Sequence, residues 1–351
     1  MHRRRFLQST MGAMAILPII SPHAFASTQR GSCLHWQRGG DLLLPRPLPG
    51  GGCIGVIAPA GPRPSKVADV IQWIEARGYQ ARAFPGCFEE TGYLAGSDLV
   101  RLRDLHAAFA DPQVDAIICL RGGYGSMRLL DSIDYPLIRK HPKILVGYSD
   151  ITALHHAILQ HAGLLTFHGP MLASDLAIDK KPPTSDALFT MLSGQQREGS
   201  WIEHPLDYPL LTLVPGRATG RLSGGNLAML CATMGTPYEA ELDGAILFLE
   251  EVGESAYRVD RLLTQLRLAG KLRSLRGVLV GDLSPLSGAP LIDLLMQIFE
   301  PLGIPVLFGW RSGHIDPNLT LPMGANVLMD ATQQRLQLLQ DVVAREASAH
   351  R

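Results

Sequence analysis

Ser149 stands in the turn Gly147-Tyr-Ser-Asp150, between the apolar run Ile144-Leu-Val146 and a helix-like segment from Ile151 to Ile158. A strand that stops on a sharp turn before a helix lifts the turn side chain clear of the sheet, and the free N–H groups at the helix start can hold developing negative charge. Ser149 is therefore a candidate nucleophile. Its hydroxyl does nothing at neutral pH until a base takes its proton and a third group orients that base. Glu250 ends the apolar run Ala245 to Leu249, where parallel strands deliver side chains to the carboxyl edge of a sheet. His314 lies in the polar loop from Gly309 to Asn318, after a strand-like Pro305 to Leu307. Each has rivals. A serine ahead of a helix commonly serves as a plain cap; His155, His156, His161 and His168 compete with His314, and Glu251 and Glu254 with Glu250. Spacing alone leaves these alternatives open.

The elements that must position these residues alternate from Ile54 onward between short apolar runs and segments of helical period, the pattern of a parallel sheet wrapped by helices. Ile54 to Ala58 reads as a buried strand. A helix follows with Ser65 as its cap, Val67, Val70, Ile71 and Ile74 on one face and Gly78 as its stop. The segment Ser97 to Phe109 repeats the helical period, Ala116 to Leu120 is the next strand, and the glycine turn Arg121-Gly-Gly-Tyr-Gly125 follows it. From about Asp175 to Pro215 prolines and polar residues interrupt every period, which predicts a linker. Strand and helix then alternate again through Ala245–Leu249, Gly277–Val280, Leu291–Phe299 and Pro305–Leu307, with further strands expected at Ala325–Met329 and Arg335–Leu339. The expected division is a leader at 1–26, an extension at 27–49, an α/β domain carrying the serine at 50–175, a linker at 176–215, a second α/β domain at 216–340 and a frayed tail at 341–351.

The leader rests on Arg3-Arg4-Arg5-Phe6-Leu7, a short apolar run from Met11 to Ile20 and Ala24-Phe25-Ala26. This is the anatomy of a cleavable export signal of the twin-arginine type, and it predicts a periplasmic protein with no stable membrane insertion after cleavage. The 351 residues balance 32 basic against 32 acidic side chains and show no basic stripe interleaved with aromatics, so nothing favours nucleic acid and small-molecule partners are expected. Cys33, Cys53, Cys87, Cys119 and Cys231 show no metal-binding spacing; Cys119 and Cys231 fall in apolar runs expected to be core, and no metal or cofactor is expected. The glycine turn lacks the Gly-Lys-Ser/Thr ending of a phosphate loop, which argues against a nucleotide cofactor.

Gly55-Val-Ile-Ala-Pro-Ala-Gly61, Arg121-Gly-Gly-Tyr-Gly-Ser126, Gly147-Tyr-Ser-Asp-Ile-Thr152, Phe167-His-Gly-Pro170, Gly224-Gly-Asn-Leu227, Phe248-Leu-Glu-Glu251 and Gly313-His314, taken in series, resemble the L,D-carboxypeptidase family of serine peptidases. No one block is very specific, but the series spans nearly all of the chain after the leader. The resemblance implies a flavodoxin-like N-terminal parallel sheet, a C-terminal α/β domain, and an active site in the cleft between them. It also implies a Ser149–His314–Glu250 triad and hydrolysis of the amide bond before a C-terminal D-residue, typically D-alanine of a murein tetrapeptide. A related branch cleaves peptidyl-nucleotide antibiotics.

Backbone N–H groups of Asp150 and of Gly122 or Gly123 are the candidates for an oxyanion hole. Arg121, Tyr124, Asn226 and Arg258 are candidates for substrate contacts. Relatives that recycle murein peptides usually work in the cytoplasm, so the apparent leader leaves the peptide substrate open, and a homodimer is an open alternative. The contrasting class is an exported solute-binding protein without catalysis, which has no use for a triad.

Overall fold

The structure, a computed structural model, describes residues 42–62 and 66–345. The expected leader, Cys33, Ser65 and the last six residues lie outside the described residues.

Two sheets organise the chain. The first contains β1 (Cys53–Ile57), β2 (Gln80–Ala83), β3 (Ala116–Cys119), β4 (Ile144–Gly147) and β5 (Thr166–His168). The second contains β6 (Trp201–Ile202), β7 (Leu211–Val214), β8 (Arg217–Asn226), β9 (Ala245–Glu250), β10 (Gly277–Val280) and β11 (Val306–Phe308). Of the last three strands, β12 (Leu321–Met323) returns to the first sheet, while β13 (Asn326–Asp330) and β14 (Arg335–Leu338) join the second.

The first sheet runs β2-β1-β3-β4-β5 in parallel, the flavodoxin-like order, with β12 antiparallel on the β5 edge. In the second, β8-β9-β10-β11 form a parallel centre and antiparallel strands complete both sides. The central strands read as continuous apolar runs because both faces are covered. Along β9, Ile246 and Phe248 enter one buried cluster and Leu247 and Leu249 another, as a two-residue period requires. The first of these clusters also holds Ile54 and Val56 of β1, Ile118 of β3 and Leu222 of β8, so a single core joins the two sheets.

Three expectations change. The predicted linker is built into the fold: helix Thr184–Leu192 buries Leu188, Met191 and Leu192, β6 extends the second sheet beside β14, and β7 pairs with β11. The tail predicted to fray is packed at its start, because Val342 and Val343 are fully buried and the Ala344 N–H donates to the Pro45 carbonyl. The extension is likewise engaged where it is described: Leu43 bridges to Leu164 and Leu48 is buried. The helix predicted after residue 62 begins at Val67 and buries Val67, Val70, Trp73 and Ile74. Among the described residues no helix is long and apolar enough to cross a membrane.

Candidate active site

β4 ends at Gly147, and Tyr148 leads into a single 3-10 turn, Ser149–Ile151, that passes directly into helix Thr152–Ala162. Ser149 has a φ of +64°, a left-handed conformation that a residue with a Cβ adopts only when its surroundings impose it. Here Oγ faces the His314 imidazole. At Gly147 a side chain would strike Ile151, with the nearest atoms 2.9 Å from its Cβ, so the turn closes only with glycine there.

Glu250 is the last residue of β9 and is fully buried; His314 is carried by the loop after β11. Although 64 residues separate them, the His314 Nδ1 lies 2.7 Å from Glu250 Oε2, and the His314 backbone N–H approaches the same oxygen at 3.4 Å. A carboxylate only accepts, so Nδ1 carries the hydrogen and Nε2 is left as an acceptor. Nε2 stands 3.0 Å from Ser149 Oγ. In that order the three groups can draw a proton from the hydroxyl and stabilise the imidazolium that results. Burial opposes charge on His314, but the hydrogen bond and charge of Glu250, helped by Glu251 and Asp175, outweigh it and raise its pKa above 6.5.

Gly313 makes the approach possible. A Cβ at this position, whose φ is +103°, would fall 2.7 Å from Glu250 Cγ and Oε2.

The rivals are spent elsewhere. His155 sits between the Gly147 carbonyl and Thr166, and His156 faces the Gly224 carbonyl; burial pushes them down to about 4 and about 3. His168 is fully buried and held neutral by that burial, and His161 meets the Pro237 carbonyl. Glu251 accepts from the backbone N–H groups of Ala228 and Val252 and from Asn226 Nδ2, while Glu254 pairs with Arg258.

Gly122 abuts the serine: a Cβ there would lie 2.9 Å from Ser149 Cβ and 3.1 Å from its Oγ. Gly123 instead backs onto Gly61, whose N–H donates to the Gly122 carbonyl. The buried carboxylate of Asp150 accepts from the Ser126 N–H at 2.8 Å, while the Ser126 hydroxyl donates to the Asp150 carbonyl at 2.6 Å. The Ser149 turn and the glycine turn are thus stapled together. Burial raises the Asp150 pKa against these hydrogen bonds. A second staple was not visible in the sequence: Arg101, buried on helix Asp98–Ala110, donates through Nη1 to the carbonyls of Pro59 and Gly125, joining the loops after β1 and β3.

Between those loops lies a cavity of about 650 Å³ lined by Gly61, Pro62, Tyr93, Arg121, Gly123 and Tyr124. This is the switch point where strand order reverses in the first sheet, the usual ligand crevice of such folds. Arg121 Nη1 donates to the Pro62 carbonyl, and its Nε is buried without a partner among the described residues. Tyr124 meets Tyr93 edge to face at 5.6 Å on the exposed rim. The other two predicted substrate contacts fall differently. Asn226 caps helix Leu227–Ala232 through Oδ1 and binds Glu251 through Nδ2, so its amide is engaged in the scaffold. Arg258 is exposed on helix Ala256–Leu268, beside Glu254 and Tyr257, with no bond to the triad.

Among the described residues no group of three or more His, Cys, Asp or Glu side chains could hold a metal ion. The described thiols are unpaired, and burial raises the Cys53 pKa and pushes those of Cys87 and Cys231 up to about 12, which leaves them inert as nucleophiles.

Sequence comparison matches residues 54–169 to the LD-carboxypeptidase N-terminal domain and residues 219–329 to the LD-carboxypeptidase C-terminal domain. The probable murein peptide carboxypeptidase of Bacillus subtilis (strain 168) is 42% identical over 298 residues, covering 83% of this chain and 92% of that protein. Among solved structures, microcin C7 self immunity protein in its inactive mutant apo state superposes with a TM-score of 0.79 at 25% identity, covering 86% of this chain and all of that one. The muramoyltetrapeptide carboxypeptidase from Oxalobacter formigenes gives a TM-score of 0.70 at 31% identity over 83% of this chain and all of that one. Both domain matches, in the same order and spanning both sheets, together with this likeness along nearly the whole of each relative, mean that the chain belongs to the LD-carboxypeptidase family.

Proposed function

We propose that the chain is a serine-type carboxypeptidase that hydrolyses an L,D-amide bond and releases a C-terminal D-amino acid, D-alanine when the substrate is a murein tetrapeptide. The observation that carries this reading is the hydrogen-bonded series from Ser149 Oγ through the His314 imidazole to Glu250. His314 Nε2 takes the hydroxyl proton as Oγ attacks the carbonyl carbon, then passes it to the departing D-alanine nitrogen. This leaves an ester on Ser149. Water attacks the ester, its proton returning through His314 to Ser149 Oγ. The tetrahedral oxyanion would be met by the N–H of Asp150 and by one from Gly122 or Gly123; at Gly122 the missing side chain lets the backbone lie against the serine. Arg121 would receive the terminal carboxylate in the switch-point cavity. If the twin-arginine leader is used, the reaction takes place in the periplasm.

A second reading rests on the likeness to microcin C7 self immunity protein and on the tyrosine pair at the cavity rim, which would stack the base of a peptidyl nucleotide. One assay separates the two. The purified protein is given a murein tetrapeptide ending in D-alanine, its L-alanine epimer, and a peptidyl nucleotide, and products are identified by mass. Release of alanine from the D-epimer alone is expected; turnover of the nucleotide conjugate alone would install the second reading, and turnover of none would end both.

The pH dependence follows from the base. Catalysis needs neutral His314, and its pKa is raised above 6.5, so kcat/KM should fall on acidification with a midpoint above that value. A profile from about pH 5 to 9 checks it, and a midpoint below 6.5 contradicts this role for the Glu250 pair.

A further inference from the structure

Asp175 lies where the sequence predicts the linker to begin, on the single π turn Leu172–Leu176. It is fully buried, yet it is one of the most heavily bonded carboxylates near the site. Oδ2 accepts the Met171 N–H at 2.9 Å. Oδ1 accepts from the Tyr148 hydroxyl at 3.2 Å and from Asn318 Nδ2 at 3.3 Å, and lies 2.5 Å from Lys180 Nζ.

Each of the last three partners leads to His314. The Tyr148 ring meets the imidazole edge to face with centroids 4.8 Å apart. Asn318 Oδ1 accepts the N–H of Gly313, and Lys180 Nζ donates to the carbonyl of Ile315. The residues on both sides of His314 and the ring packed against it therefore converge on one buried carboxylate.

We propose that Asp175 is a positioning residue for His314: through Tyr148, Asn318 and Lys180 it fixes the imidazole between Glu250 and Ser149, and its charge favours the imidazolium formed during the reaction. Glu250 holds the ring at Nδ1 and Ser149 meets it at Nε2. The Tyr148 ring packed against it adds a third restraint, and Asp175 holds Tyr148. The groups facing His314 are Glu250 at Nδ1, Ser149 at Nε2 and the Tyr148 ring; the carboxylates of Glu251 and Asp175 also act on it, and buried His168 is neutral. The carboxylates act in the same direction, so each contributes to the charge His314 can carry.

The inference rests on His314 being the base of the proposed reaction, and its test is arranged to be read without that reaction. Full-length protein labelled at the histidine ring carbons is titrated by NMR, with His314 assigned from the His314→Gln variant. Asp175→Asn is expected to move the His314 pKa down by roughly half a unit to one unit, because one nearby opposite charge has gone. Lys180→Gln, which strips the cation from Asp175, is expected to move it up. On a peptide that the wild type turns over, Asp175→Asn should lower kcat about tenfold or more with KM nearly unchanged, as misplacement of the base requires. A His314 pKa equal to the wild-type value in Asp175→Asn overturns the proposal, even if kcat falls. Should that variant not fold, an unmoved pKa in Lys180→Gln does the same. Absence of D-alanine release by the wild type would sink the carboxypeptidase reading and leave the titration to decide this one.

Discussion

Ser149→Ala is expected to abolish D-alanine release while leaving the fold and the thermal melt nearly unchanged. Alanine keeps the Cβ and pays the same left-handed penalty that serine already pays at a φ of +64°, so the turn has no new strain to relieve. What disappears is the oxygen that His314 Nε2 faces at 3.0 Å, and among the described residues no other side chain bonds that nitrogen. The described thiols are protonated and bonded or packed elsewhere. Removal of the nucleophile from a triad costs about 10⁶-fold in kcat in the best-studied serine protease series, and the remaining oxyanion donors still give some rate over water. Loss of that order, measured as D-alanine by mass against a melting curve within a degree or two of wild type, is the expected result. Turnover within tenfold of wild type would remove Ser149 from the mechanism.

Glu250→Gln should lower kcat about 10⁴-fold, the size seen when the acid of a serine-protease triad becomes its amide. The physical reason is the hydrogen on the wrong nitrogen. Glu250 can only accept, which holds the hydrogen on His314 Nδ1 and leaves Nε2 free to take the serine proton. A glutamine can present its NH₂ to Nδ1 instead, and Nε2–H then points at Ser149 Oγ and cannot act as a base. The substitution also removes the main group that raises the His314 pKa, so the residual activity should show its acid limb at lower pH than wild type. Steady-state profiles of both proteins test the two effects together. A variant with wild-type kcat, or with the acid limb moved upward, would show that Glu250 neither orients nor charges the imidazole.

The parts of this site legible in the sequence are the local ones. A run of Ile144, Leu145 and Val146 buried on both faces, a glycine at 147 and a helix from Thr152 are consequences of side-chain period and turn chemistry, and they expose Ser149 without reference to the rest of the chain. The alternation of strand and helix likewise carried the parallel sheet wrapped by helices, while its flavodoxin-like order was implied by the family resemblance. Glu250 was visible as the end of a buried strand, but choosing it over Glu251, and His314 over four other histidines, depended on family resemblance. Adjacent residues of one strand end differ in role because they face opposite sides: Glu250 turns to His314, and Glu251 turns to the start of helix Leu227–Ala232.

Tertiary structure decided the rest. The segment from Asp175 to Thr184, polar and broken in period, reads as a linker because nothing in its own sequence shows what it binds. In the fold its Asp175, Lys180, Lys181 and Thr184 grip the histidine loop at Asn318, Ile315 and Asp316. β12 crosses from the second half of the chain to pair antiparallel with β5, a pairing that three residues of sequence cannot specify because the partner strand supplies the register. The settings of Asn226 and Arg258, chosen as substrate contacts for their chemistry, also came only from the fold, which places one in a helix cap bonded to Glu251 and the other on an exposed helix face beside Glu254. By itself the sequence determined which residues could react, since that depends on side-chain chemistry and local turn shape. Only the tertiary structure decided which of them meet, since a contact such as Ser149 with His314 spans 165 residues and exists through packing of the two sheets on one core.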